Sequence, residues 1–78
     1  MSEELSRHIV ADPSVMGGKP VIRGTRISVE SILEKVAAGE SVDQIVSEHP
    51  HVTVEQVRAA LEYAANVFKN DVVYEVGA

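Results

Sequence analysis

The sequence predicts an α+β fold, mostly α: a short N-terminal β-hairpin followed by a three-helix, helix-turn-helix-like bundle. Three observations predict it. The apolar pattern changes period at residue 28, from short extended runs to a helical stripe. Ser28, Ser41 and Thr53 each stand immediately before such a stripe, where a helix N-cap belongs. Three of the five glycines fall between residues 16 and 26, a density that makes turns rather than helix.

The elements follow in order. Residues 1–7 are polar and read as a flexible arm, without the apolar run of a signal peptide. A single domain spans 8–70, with the hairpin over 8–27. His8-Ile9-Val10-Ala11 is its first extended piece, stopped by the turn signal Asp12-Pro13-Ser14. Lys19-Pro20-Val21-Ile22 is the second. Pro20 has no N–H for a ladder and belongs at a strand start or sheet edge. Arg23-Gly24-Thr25-Arg26 is the turn after it.

A helix over 28–38 follows from Val29, Ile32, Leu33, Val36 and Ala37, with Ser28 as N-cap and Gly39 as the stop. A helix over 42–48 starts at the capping box Ser41 to Gln44, buries Val42, Ile45 and Val46, and ends at His49-Pro50. A helix over 54–69 starts at the box Thr53 to Gln56, with Val52 and Val57 as a hydrophobic staple. Its stripe is Val54, Val57, Leu61, Ala64, Ala65 and Phe68, and Asn70 is the expected C′ residue. Residues 71–78 hold Val72-Val73-Tyr74-Glu75-Val76, a terminal strand or a tail that orders on a partner.

Composition narrows the function. A chain of 78 residues buries only about 60–65% of its unfolded surface. Its three aromatics are Tyr63, Phe68 and Tyr74, so the core must be aliphatic, and there is no cysteine to staple it. Small unstapled domains gain buried area by association, so a homodimer or an obligate partner is expected. No window approaches the ~20 apolar residues of a membrane span, so no membrane is expected and the expected location is cytoplasmic. The net charge of −5 disfavours non-specific nucleic-acid binding.

Four features compete for a functional role. In a DNA-binding helix-turn-helix the last helix would present Thr53, Glu55, Gln56, Arg58, Ala59, Glu62 and Tyr63 to the major groove. Residues 40–78 carry two cations against seven anions, which argues against a strong DNA reader. Lys19, Arg23 and Arg26 form a local +3 patch with no acid between Asp12 and Glu30. Its glycine spacing is not that of a P-loop. These cations either keep a structural loop soluble and pair with acids such as Glu30, or meet phosphate or an acidic partner. His8, His49 and His51 lack metal-ligand spacing, so no metal is expected. No nucleophile or shielded acid/base pair is evident, so neither enzyme activity, cofactor nor small-molecule substrate is expected. Lastly, Ala59, Ala60, Ala64, Ala65, Tyr63, Val67 and Phe68 give the third helix more apolar surface than one face needs. That surplus is either a doubly buried core helix or a partner face.

The run Ile9-Val-Ala-Asp-Pro-Ser-Val-Met-Gly-Gly-Lys-Pro-Val-Ile-Arg-Gly-Thr-Arg-Ile27 resembles the signature of the DUF433 family. Ala38-Gly-Glu-Ser41, Ile45 to Pro50 and Thr53 to Leu61 are similar to its later pattern, so the resemblance covers residues 8–68. It implies a β-hairpin on a homeodomain-like helical bundle, a prokaryotic source, and an antitoxin role beside a PIN-like toxin. It supplies no catalytic residues. Its shared positions are Gly17, Gly18, Lys19, Pro20, Gly24, Thr25 and Arg26.

The expected function is therefore a non-catalytic antitoxin-like module that binds a protein toxin and, as a dimer, operator DNA. The alternative is a free-standing transcriptional regulator. Candidate nucleic-acid contacts are Lys19, Arg23, Arg26, Gln56 and Arg58. Candidate partner or dimer contacts are Tyr63, Val67, Phe68, Val72, Val73 and Tyr74.

Overall fold

The computed structural model describes residues 7–69. They form strands β1 (Ile9–Val10) and β2 (Val21–Ile22), a short turn at Met16–Gly18, and helices α1 (Val29–Ala37), α2 (Val42–Glu48) and α3 (Val54–Lys69). This is the predicted α+β, mostly helical class. Most of the N-terminal arm, Asn70 and the segment 71–78, with Val72, Val73 and Tyr74, lie outside the described residues.

The two strands pair antiparallel, Ile9 opposite Ile22 and Val10 opposite Val21. Side chains alternate across a strand, so Ile9 and Ile22 enter the main core. Val10 and Val21 instead line, with Val15, a groove on the other face. Pairing runs further than the sequence indicates. Ile22 N–H donates to Ile27 O at 2.9 Å, and Val21 bridges Ser28. β2 is thus flanked on both sides, and the return piece delivers the chain into α1. The Pro20 carbonyl accepts from Val29 N–H at 3.0 Å, satisfying one of the donors a helix start leaves open.

Between the strands the Asp12 carboxylate accepts from Ser14 N–H at 2.9 Å and from its hydroxyl at 2.8 Å. These bonds, the backbone one first, hold the Asp12 carboxyl below its ordinary 3.8. Met16, Gly17 and Gly18 then take three successive positive φ angles, 52°, 67° and 87°. Such a left-handed turn costs an L residue roughly 1–2 kcal/mol, and the glycine pair confines that penalty to Met16.

The helix boundaries obey local chemistry. Ser28 Oγ accepts from Ser31 N–H. Ser41 and Gln44 form a reciprocal capping box. Thr53 and Gln56 form another: Thr53 N–H donates to Gln56 Oε1 at 2.8 Å, and Gln56 N–H to Thr53 Oγ1 at 3.2 Å. α1 ends in a Schellman motif, with Glu40 N–H donating to Lys35 O and Gly39 N–H to Val36 O, both at 3.0 Å. Gly39 stands at φ 95°. A Cβ there would meet no heavy atom within 4 Å, so only backbone conformation resists substitution. Gly39→Ala is expected to lower stability by about 1–2 kcal/mol, read as a shifted urea midpoint with unchanged m.

α3 is the hub and touches α1, α2 and both strands. Fully buried Ile22, Ile32, Ile45 and Val57 meet around its first half, together with Ala60. The staple residues Val52 and Val57 both lie in that core. The α3 stripe departs from expectation in mid-helix and toward its C-terminal end. Ala59, expected to be exposed, is buried, while Ala65 and Phe68, expected in the stripe, are exposed. Neighbours on several sides of α3 widen its buried arc mid-helix, and small residues there permit close approach. The last turn carries its apolar residues exposed.

Candidate partner-binding surfaces

The Arg23–Arg26 turn builds itself from its own sequence. Thr25 N–H donates to Ile22 O at 3.0 Å, closing a four-residue turn whose third position, Gly24, has φ 79°. That sign is the one a type II turn requires there. The Thr25 hydroxyl donates to Ile22 O at 2.7 Å and accepts from Ile27 N–H at 3.0 Å. It joins β2 to the piece that returns beside it.

The three cations of the sequence patch part company. Lys19 pairs with Glu30 at 3.2 Å. Arg23 donates from Nε to Arg7 O at 2.6 Å and from its backbone N–H to His8 O at 2.7 Å, locking the hairpin. Arg26 is exposed and makes no hydrogen bond or ion pair with another described residue.

Arg26 faces a segment that sequence reasoning treated separately. Gly24, Thr25 and Arg26 line one side of a groove of about 370 Å³, and Glu48, His49 and His51 line the other. His49 C-caps α2, and Val52 N–H donates to His49 O at 2.9 Å, closing a turn around Pro50. No local signal pairs these segments, because contacts between them depend on how the hairpin packs on the helices.

Behind that groove Lys35 Nζ lies 3.1 Å from Glu48 Oε2 and 3.9 Å from Glu40 Oε2. Among the described residues, Glu40 Oε1 and His49 Nε2 are buried without a hydrogen-bond partner. A hydrogen bond to Glu48, then burial, raises the Glu40 carboxyl above its ordinary 4.5. The same bond, then Lys35, lowers Glu48. The bond to Glu48 also raises Lys35. Glu48 therefore favours the fold above 4.5 and loses that contribution as pH falls through its folded value. Glu40 favours it in acid and loses that contribution as pH rises through its own. Carboxyl NMR titration is expected to show Glu40 ionising after Glu48, and Glu48→Gln to bring Glu40 back down. Coincident titrations would refute the pairing.

On α3, Thr53, Glu55, Arg58 and Glu62 are exposed. Gln56, named as a nucleic-acid contact, is half-buried with its Oε1 committed to the capping box. Of the α3 residues expected to face the major groove, Arg58 alone is a cation, and it is exposed. Tyr63, Val67 and Phe68 come together in an apolar groove of about 250 Å³ with Pro20, Leu33 and Ala64. Among the described residues no group of His, Asp and Glu is placed to hold a metal ion. None of their helices is long and apolar enough to cross a membrane.

Comparison with known proteins gives three similarities. Residues 9–64 match a family described as a protein of unknown function, DUF433. The uncharacterized protein y4eO of Sinorhizobium fredii is 39% identical over 56 residues, 72% of this chain but 25% of that protein. The chain thus spans about a quarter of that relative's length. The crystal structure of a DUF433 member from Anabaena variabilis superposes with a TM-score of 0.75 at 26% identity, covering 88% of this chain and 79% of that one. The matched span runs from the first strand through most of α3 and includes the self-closing Gly24-Thr25 turn, and on that ground the chain belongs to the DUF433 family.

Proposed function

We propose that the chain is a non-catalytic, antitoxin-like module that binds a protein toxin of the PIN-like nuclease kind. The outward face of α3 carries this reading. Glu55 and Glu62 stand exposed there seven residues apart, with the exposed cations Arg58 between them and Lys69 at the helix end. A nuclease surface built to hold a polyanion is cationic, and the two carboxylates of this face are groups that could meet it. With two anions against two cations, the same face offers DNA phosphates no net positive charge.

The test is purification of tagged protein from its native host, with and without nuclease, followed by growth rescue against the captured protein. A stoichiometric, nuclease-resistant partner whose toxicity the chain neutralises is the expected result. The double variant Glu55→Lys/Glu62→Lys is expected to weaken the complex by about tenfold or more; unchanged affinity would remove these two carboxylates from the contact.

A second reading, a free-standing transcriptional regulator, is favoured by Arg26 and Arg58, both exposed. On this reading a dimer would hold operator DNA through them, with help from Lys19 and Arg23. Specific DNA affinity would then fall steeply with salt. Arg58→Ala would cost about 1–3 kcal/mol of specific binding if Arg58 reads a base. Operator binding unchanged by that variant would sink the base-reading role.

A further inference from the structure

We infer that the groove between α1 and α3 is the contact between two copies of this chain, each inserting Phe68 into the groove of the other. An isologous contact needs one face to carry both a protrusion and the recess that takes it. This face does. The recess has Pro20, Val29, Leu33, Tyr63 and Ala64 in its lining, and Val67 and Phe68 complete its wall. Phe68 in that wall is 67% exposed and Val67 beside it 42% exposed, and this exposed ring is the part we assign to the partner copy's recess.

Charge points the same way. The cation and anion at this rim, Lys19 and Glu30, are 3.2 Å apart, with their side chains 58% and 56% exposed. One charge of each sign lets the face meet itself without repulsion, and a two-fold axis can exchange the partners, Lys19 of one copy with Glu30 of the other. The grooves beside the Arg23–Arg26 turn both carry Arg26, which has no charged partner among the described residues. Two copies of a chain with net charge −5 repel through most of their surface, and the α1/α3 face offers an apolar, locally neutral way past that repulsion.

The inference does not rest on the toxin-binding reading, since the acidic residues invoked there do not line this groove. It is tested on the full chain alone by sedimentation equilibrium from low to high micromolar concentration. A monomer–dimer equilibrium is expected. Phe68→Asp is expected to weaken it by about 30-fold or more, with the thermal midpoint of the dissociated chain unchanged because Phe68 contributes little to the monomer core. Lys19→Glu is expected to weaken it about two- to fivefold, and adding Glu30→Lys to restore it. A chain monomeric throughout overturns the inference, whether residues 70–78 or a foreign protein covers the groove. So does a dimer indifferent to Phe68→Asp, or one that the paired charge exchange fails to restore.

Discussion

Ile32→Ala is expected to destabilise the domain by about 2–5 kcal/mol. A chain of this length has a total stability of about 4–12 kcal/mol, so the loss is a large part of the whole. Ile32 is 0% exposed and lies in the cluster that joins α1, the hairpin, α2 and α3. Truncation removes three carbons from water-free surroundings and leaves a void that the neighbours fill only in part. Among the described residues the fully buried set holds no aromatic side chain, and Tyr63 packs against it only in part. Val36→Ala provides the control, because Val36 is one turn along α1 and 38% exposed. Its effect is expected to stay within about 0.5–1 kcal/mol. Urea unfolding followed by helical circular dichroism separates the two; equal losses would mean that the α1 stripe is not anchored at Ile32.

Thr25→Val is expected to lower stability by about 1–3 kcal/mol, whereas its neighbour Arg26→Ala is expected to change it by less than about 0.5 kcal/mol. Valine keeps the shape of threonine and removes the oxygen. Ile27 N–H then loses its acceptor, and Ile22 O keeps only the backbone donor from Thr25. Ile22 is fully buried and paired to β1 on its other side, so loosening this turn reaches the core. Arg26 is exposed and ties nothing down among the described residues. The two variants therefore divide the Arg-Gly-Thr-Arg stretch into a structural part and a part available to a partner. Thermal melts give the first, and affinity for the captured protein or for DNA gives the second. A destabilised Arg26→Ala, or a neutral Thr25→Val, would reverse the assignment.

Much of the fold was legible where the controlling interaction spans a few residues. Ser28, Ser41 and Thr53 cap as their positions indicate, and Gln44 and Gln56 complete their boxes because a donor and an acceptor three residues apart have only one helical partner geometry. Gly39 stops α1 for the equally local reason that C′ needs positive φ. Glu30 was named as one acid with which the cationic patch could pair, and Lys19 is the cation that pairs with it.

The misses share one cause. Periodicity along α3 placed Ala59 outward and Phe68 inward, and the structure reverses both. Periodicity records which residues share a helical face; how far along the helix its neighbours extend is set by their own lengths and crossing. Likewise the return of Ile27–Ser28 beside β2, and the groove that faces Arg26 with His49 and His51, depend on contacts between distant segments.

The amino-acid sequence by itself determined the class of fold, the helix starts, the Gly39 stop of α1, the turn glycines and the family, because each follows from interactions or motifs only a few residues long. The tertiary structure alone decided that the cationic patch is dispersed, that Gln56 is spent on capping, and that Tyr63, Val67 and Phe68 meet Pro20 and Leu33 in one groove. Those outcomes rest on where three helices and a hairpin come to lie around α3, and packing of that kind is settled by the buried volume of the whole chain.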